Sequence, residues 1–316
     1  MRFWKPVRFI PDDTKIRFLR FSRYGFFGSG ILCALSILAF FAIGLNYGVD
    51  FKGGTVMTIR TEQAADLDAL RSTLGGLGLG DVELQEFGGP NDVMIRIEAQ
   101  AGGEVAEQAA VAKVKGALGP TVDYRSVETV GPKVSGELTQ EAILAVVVSI
   151  IGVIIYIWMR FEWQFAIGAV MSLLHDVILT IGLFCVIGLE FNLSIIAAIL
   201  TIVGYSLNDT VVVFDRIREN LRKYKQMPLA DLIDFSTNSV LPRTLLTSVS
   251  TMIALLSLYI FGGEVIRGFT FAMIWGVIVG TYSSIYVAAP VLILLSTKRD
   301  WVTATVKAAR AGAQRP

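Results

Sequence analysis

Ionisable side chains interrupt the apolar stretches of this sequence at three places: Asp176, preceded by His175; Asp209, between Asn208 and Thr210; and Arg243, between Pro242 and Thr244. A charge near the middle of a bilayer costs at least about 2.5–3.5 kcal/mol on insertion scales, so each of these is a candidate functional group. The chemistry they suggest is ion exchange. Desolvation raises the pKa of a carboxylate and a neighbouring arginine lowers it, so moving the arginine switches the acid between holding and releasing a proton. Asp176 with His175, Asp209 and Arg243 are the candidates for this role. Each also has a structural reading: a static interhelical hydrogen bond for Asp176, a polar helix contact for Asp209, and headgroup snorkelling for Arg243. Asp176 is expected to be structural and Asp209 to exchange. Asp215, followed by Arg216 and Arg218, reads as a helix-end charge cluster.

Other chemistries find little support. With one histidine in the chain, a zinc site or a Ser/His/Asp triad would have to use His175. Cys33 and Cys185 lie far apart in apolar runs and read as small hydrophobic residues. No GxxxxGK[ST] sequence occurs. The run Gly75-Gly76-Leu77-Gly78-Leu79-Gly80 follows an expected helix and precedes an expected strand, the reverse of a dinucleotide loop. The expectation is a protein that is not an enzyme, with no cofactor, no metal and no nucleic-acid partner.

The elements that must position the charges are membrane helices. The chain has 316 residues, 53% of them hydrophobic and 17% charged, against about 25% charged in an ordinary soluble domain. Six stretches approach or exceed the roughly 20 apolar residues a helical span needs: Tyr24 to Leu45, Ala142 to Met159, Phe165 to Leu189, Leu193 to Phe214, Thr244 to Phe261 and Gly268 to Ser296. The first reads as a retained anchor rather than a cleaved leader. Lysine and arginine sort along the chain, with seven in residues 1–23, five just after the fourth span and five in the tail, whereas residues 46–137 hold fourteen acidic against eight basic residues. By the positive-inside rule both termini are cytoplasmic and residues 46–137 lie outside. The expected order is a cytoplasmic segment 1–23, a first span 24–45, an extracytoplasmic domain 46–137, five further spans within 138–296 and a cytoplasmic tail 297–316.

Inside the domain, short alternating runs separated by glycines predict strands at Thr55–Thr61, Val82–Phe87, Val93–Ala99 and Val122–Val130, with helices at Ala64–Leu74 and Glu104–Leu118. That βαββαβ order predicts a ferredoxin-like α+β insert. The fold class is therefore a polytopic α-helical membrane protein of six transmembrane helices with this insert. Gly276 and Gly280 form a small-xxx-small face for close helix packing.

The run from Gly204-Tyr205-Ser206-Leu207-Asn208-Asp209-Thr210 through Phe214-Asp215-Arg216 to Asn220 resembles the fourth-helix signature of SecF, in the SecD/SecF family of the RND superfamily. Matching segments are Asp50-Phe51-Lys52-Gly53-Gly54-Thr55, Leu174-His175-Asp176, Pro242-Arg243-Thr244 with Thr247-Ser248, and Gly280 through Tyr286. The resemblance runs from Phe21 to Ser296. It implies an RND-type six-helix half in the bacterial inner membrane that pairs with SecD about a pseudo-two-fold axis. It further implies use of the proton or sodium gradient in late steps of export through SecYEG, with contacts to unfolded preprotein and membrane lipid; YajC and YidC are candidate further partners. Asp209 and Arg243 carry over as the ion-coupling pair, with an aspartate from SecD. Two rival readings are an RND-type exporter of lipids or small molecules and a non-transporting assembly subunit.

Overall fold

The computed structural model describes residues 14–295 except 87, 121 and 264; most of the expected N-terminal segment and the tail 297–316 lie outside the described residues. In chain order the elements are α1 (Phe18–Ala42), β1 (Asn46–Tyr47), α2 (Val49–Lys52), β2 (Gly54–Arg60), α3 (Leu67–Gly75), β3 (Val82–Glu86), β4 (Asp92–Ile97), α4 (Glu104–Leu118) and β5 (Asp123–Val130). There follow α5 (Pro132–Arg160), α6 (Trp163–Ile187), β6 (Glu190–Phe191), α7 (Leu193–Lys223), α8 (Leu229–Phe261), α9 (Arg267–Ser283), a π-helical stretch Ser284–Ala288, and α10 (Ala289–Leu294).

Among the described residues, six helices are long and apolar enough to cross a membrane: α1, α5, α6, α7, α8 and the continuous run from α9 to α10. They are not equivalent. About half or more of the apolar window of α6, α7 and α9–α10 is buried within the chain, against 11% for α1 and α5 and 17% for α8. The first three therefore form the centre of the bundle, and the others turn most of their surface toward lipid or a partner. Two apolar clusters fill the centre. One is built on Phe161, Phe165 and Phe214, whose rings meet stacked or edge-on 5.2–6.0 Å apart; the other is built on Phe184, Ile195, Ala198, Ile202, Ala272 and Val277. Small residues permit the closest approach: a Cβ at Gly276 would land on Ile202, and one at Gly280 would stand 2.9 Å from Ser206 Cβ.

Several helices are longer than the apolar spans suggest. The fifth begins at Leu229 rather than Thr244, because its first turns carry Asp231, Asp234 and Asn238, which lower the hydropathy. Those polar groups are used. Asp234 Oδ1 accepts from the Leu19 amide and Asn238 Oδ1 from the Ile16 amide, each at 3.0 Å, which supplies acceptors to donors at the start of α1 that have no partner within the helix. In the same way α5 starts at Pro132 rather than Ala142, with proline at the position where its missing N–H costs nothing. The fourth span runs on from Phe214 to Lys223.

Between α1 and α5 the chain forms a four-stranded antiparallel sheet in the order β3-β4-β2-β5. The inward alternation Met57, Ile59, Val93, Ile95 and Ile97 packs with Leu74 of α3 and Ala110 and Val114 of α4, all nearly or fully buried. Both helices therefore cover the same face. Glu107 of α4 is also fully buried, where it accepts from Thr55 Oγ1 at 3.0 Å and the Gln100 amide at 2.6 Å. At Gly54 φ is +108° and a Cβ would strike the Ile97 carbonyl, so the strand that leaves α2 must start with glycine.

The inserted domain thus has an apolar core of its own, and residues 50–132 expressed alone should give a dispersed NMR spectrum and a cooperative thermal transition; a disordered spectrum would show that the core needs the membrane helices. Gly276→Val should overpack the α7–α9 contact, at a cost of about 1–3 kcal/mol. The check is a lower melting temperature for the purified variant in detergent, and an unchanged one would mean the helices do not meet there.

Candidate functional site

The centre of the bundle holds a polar cluster drawn from its three most buried helices. Asp176 lies midway along α6 and is fully buried. Its Oδ2 accepts from Ser206 Oγ of α7 at 2.5 Å and from Ser283 Oγ of α9 at 2.9 Å, while Oδ1 lies 2.9 Å from His175 Nδ1. Ser172 donates to Ser283 at 2.9 Å, one turn away on α6. The His175 ring stacks on Tyr282 with centroids 6.1 Å apart, and the Tyr282 hydroxyl donates to the Gly25 carbonyl of α1 at 3.0 Å. Asp176 is therefore a fully engaged interhelical acceptor, the arrangement a buried carboxylate needs to remain in place.

Ser206, Asp209 and Thr210 are three and four residues apart, which sets them on one side of α7. Thr210 Oγ1 meets Ser284 Oγ at 2.9 Å, where α9 becomes π-helical. Such π segments interrupt the regular ladder and are common at functional positions. Asp209 itself differs from Asp176. It is 3% exposed, and its Oδ2 has no hydrogen-bond partner among the described residues. Thr244 of α8 is the hydroxyl beside it; it too is buried, and no well-formed hydrogen bond joins the two among the described residues. Pro242, two residues before, removes a backbone donor from α8 beside this contact. An orphaned buried carboxylate oxygen gains most of all polar groups from taking up a proton, an ion or a new donor.

Arg243 is close enough to act electrostatically on Asp209, yet its side chain is exposed and makes no ion pair among the described residues. It stands near the middle of the 33-residue α8, immediately before the apolar stretch that follows from Thr244. On α7, Ala197, Thr201, Gly204 and Asn208 form an exposed stripe of small and polar residues, and a Cβ on Gly204 would meet nothing. On α8, Arg243, Leu246, Ser250, Ile253 and Ser257 are exposed at helical spacing. Thr247 donates to the Thr244 carbonyl at 2.8 Å on the helix itself. The exchange candidate is thus buried at a seam whose neighbouring helices keep open faces.

Two further sites surround this one. At the domain end, β1 and β6 pair in parallel, Asp50 Oδ2 accepts from the Leu193 amide at 2.9 Å to cap α7, and Gly53 and Gly54 turn the chain into β2. Arg96 of β4 reaches back from the domain to Glu190 at 3.0 Å and to Asn46 Oδ1 at 2.9 Å. Burial pushes the Glu190 carboxyl above its usual range, against the pull of the Arg96 guanidinium. At the opposite end, Asp215 pairs with Arg160 of α5, at 2.7 Å, instead of with the arginines that follow it in sequence. Sequence reasoning missed the Arg96–Glu190 contact and the serines Ser172, Ser206 and Ser283. Neither serine spacing nor an arginine on a soluble strand carries a signal until the helices are packed.

The chain matches the family profile "Protein export membrane protein SecD/SecF, C-terminal" over residues 110–298 and the "SecD/SecF GG Motif" over residues 38–65, the latter containing Asp50, Gly53 and Gly54. It is 46% identical over 302 residues to the protein translocase subunit SecF of Cereibacter sphaeroides and 47% over 312 residues to that of Rhodobacter capsulatus, with 93% of each chain covered. To the SecF of Rickettsia rickettsii it is 42% identical, over 93% of this chain and 96% of the relative. The crystal structure of SecDF from Thermus thermophilus superposes with a TM-score of 0.83 at 33% identity, over 92% of this chain; a SecDF structure in a super-membrane-facing form gives 0.69, over 96%. The chain spans only about two-fifths of those SecDF chains, 40% and 41%. With its six membrane helices and these relatives, the chain belongs to the SecD/SecF family of protein-export membrane proteins, as a SecF-type accessory subunit of the Sec protein translocase.

Proposed function

We propose that the chain pairs with a SecD half in the bacterial inner membrane and uses an ion gradient to promote late steps of preprotein export, with Asp209 as the exchanging group and Arg243 as its movable counter-charge. The observation that carries this is the buried Oδ2 of Asp209, without a hydrogen-bond partner among the described residues, beside Thr244, whose chain neighbour Arg243 is exposed and makes no ion pair among them. A charge moved across the membrane is worth about 2.3 kcal/mol per 100 mV, comparable to a shift of one or two pKa units in a single carboxylate. One acid that gains and loses its arginine can therefore use the gradient. The open stripes of α7 and α8 are the surface on which the SecD half would bring its own aspartate, and the length of the solved SecDF chains fits a second half of this kind. Both proton and sodium suit a lone carboxylate.

In the same reading both termini are cytoplasmic and the inserted domain, a ferredoxin-like fold by its βαββαβ order, faces outward to contact preprotein emerging from SecYEG. Arg96 and Glu190 would fix the angle of that domain on the membrane helices. Asp176 is assigned to architecture, because donors from α7 and α9 already satisfy it.

Asp209→Asn should insert and assemble normally but abolish the gradient-dependent phase of export from energised vesicles, leaving the ATP-driven phase; normal gradient dependence would remove Asp209 from the mechanism. Arg243→Lys should impair the same phase and Arg243→Ala abolish it, since lysine offers a point charge where arginine offers a planar array of donors; equal activity of lysine and arginine would make Arg243 a headgroup anchor. Asp176→Asn disturbs a three-helix network, so it should destabilise the purified protein by about 1–3 kcal/mol and reduce export only partly. Unchanged melting with complete loss of the gradient phase would instead give Asp176 the exchanging role.

A further inference from the structure

The 29-residue α5 starts beside the inserted domain and rises about 1.5 Å per residue, so Arg160 stands at the opposite end of the bundle. There a cleft of about 440 Å³ opens between the ends of α5 and α7, lined by Arg160, Asp215, Arg218, Glu219, Arg222 and Lys223. Its two acids are already committed. Asp215 takes both of its carboxylate oxygens to Arg160 Nη2, at 2.8 and 2.7 Å, and Glu219 pairs with Arg216, outside the cleft, at 2.7 Å. That leaves three cations without an acidic partner among the described residues. Arg218 spends one nitrogen on a long, 3.4 Å bond to the Arg160 carbonyl, and its Nε is buried with no acceptor. Lys223 lies 5.4 Å over the Tyr224 ring. Arg222 is exposed.

Basic residues at a helix C-terminus are favoured by the helix dipole, which accounts for Arg222 and Lys223 in part. It does not account for a buried guanidinium nitrogen with nothing to donate to, nor for a cleft in which the acids face cations and the remaining cations do not. The depth of the cleft in the membrane is marked by its neighbours. Trp158 and Trp163, 72% and 56% exposed, and Met159, 84% exposed, flank Arg160 at the α5–α6 turn, and tryptophans in such positions sit at headgroup level. The volume is in the range of ligand-sized sites. Arginine matches phosphate oxygens with two donors at once.

We propose that this cleft binds the phosphate of an anionic phospholipid headgroup, with Arg218, Arg222 and Lys223 as the phosphate ligands and Trp158 and Trp163 beside the glycerol and upper acyl chains. The site is remote from Asp209 and does not rest on the ion-coupling reading.

The test is native mass spectrometry of the purified full chain in detergent, offered phosphatidylglycerol and phosphatidylcholine in equal amounts. Wild type should retain phosphatidylglycerol in about tenfold preference, and Arg218→Gln/Arg222→Gln/Lys223→Gln should lose that preference. A control losing three exposed cations at the same end of the bundle, Arg17→Gln/Arg20→Gln/Lys225→Gln, should keep it. Millimolar inorganic phosphate should not displace the lipid. Equal retention of the two lipids by wild type, equal loss in the control, or stripping by phosphate alone would each overturn the assignment. If the triple variant fails to fold, Arg218→Gln alone should weaken phosphatidylglycerol retention severalfold, and an undiminished preference there would overturn the proposal equally.

Discussion

The acceptance of two serine hydroxyls by the buried Asp176 carboxylate is the constraint around which the membrane part is arranged. A carboxylate in the low-dielectric interior is tolerable only where donors surround it, and here the donors come from α7 and α9 while the carboxylate comes from α6. Those three helices must therefore approach closely, and Gly276 and Gly280 let α9 do so against Ile202 and Ser206. The position of α7 then decides the rest. Ser206 faces Asp176, and a turn later Asp209 and Thr210 fall on the same side, one against Thr244 and the other against Ser284. The group with satisfied bonds fixes the frame, and the group without them is left at the seam with α8.

Contrast between the two aspartates is a contrast in what can move. Asp176 lies among helices that are at least half buried within the chain. Asp209 contacts α8, only 17% of whose apolar window is buried, and whose ladder is interrupted by Pro242. Asp209 and Arg243 both lie at the contact with α8, whereas the donors of Asp176 come from α7 and α9. At the domain end Asp50 caps α7 and Arg96 joins the domain to Glu190, so the domain and the central helix are tied together by a few polar contacts.

Much of this was legible in the sequence. The number of membrane-spanning helices followed from the apolar spans, and the element order of the insert followed from its alternating runs, with α4 at Glu104–Leu118 in both readings. Hydropathy failed where helices continue past the apolar region: the first turns of α8 look like a loop because their polar residues serve α1, a long-range role that no local pattern reveals. At the site, the ionisable residues stood out by their cost, whereas the serines that hold Asp176 did not, since serine in a membrane helix is unremarkable until a partner is known. The pairing of Asp215 with Arg160 was hidden for the same reason, as adjacent arginines in sequence offered a nearer explanation.

The claim that Asp209 exchanges an ion while Asp176 holds the frame is tested most directly by carboxyl-stretch infrared difference spectra of the chain reconstituted with its SecD half in vesicles, recorded as a proton gradient is imposed. The account predicts a protonation band that disappears in Asp209→Asn and persists in Asp176→Asn. A band that disappears with Asp176 and persists without Asp209 would contradict it.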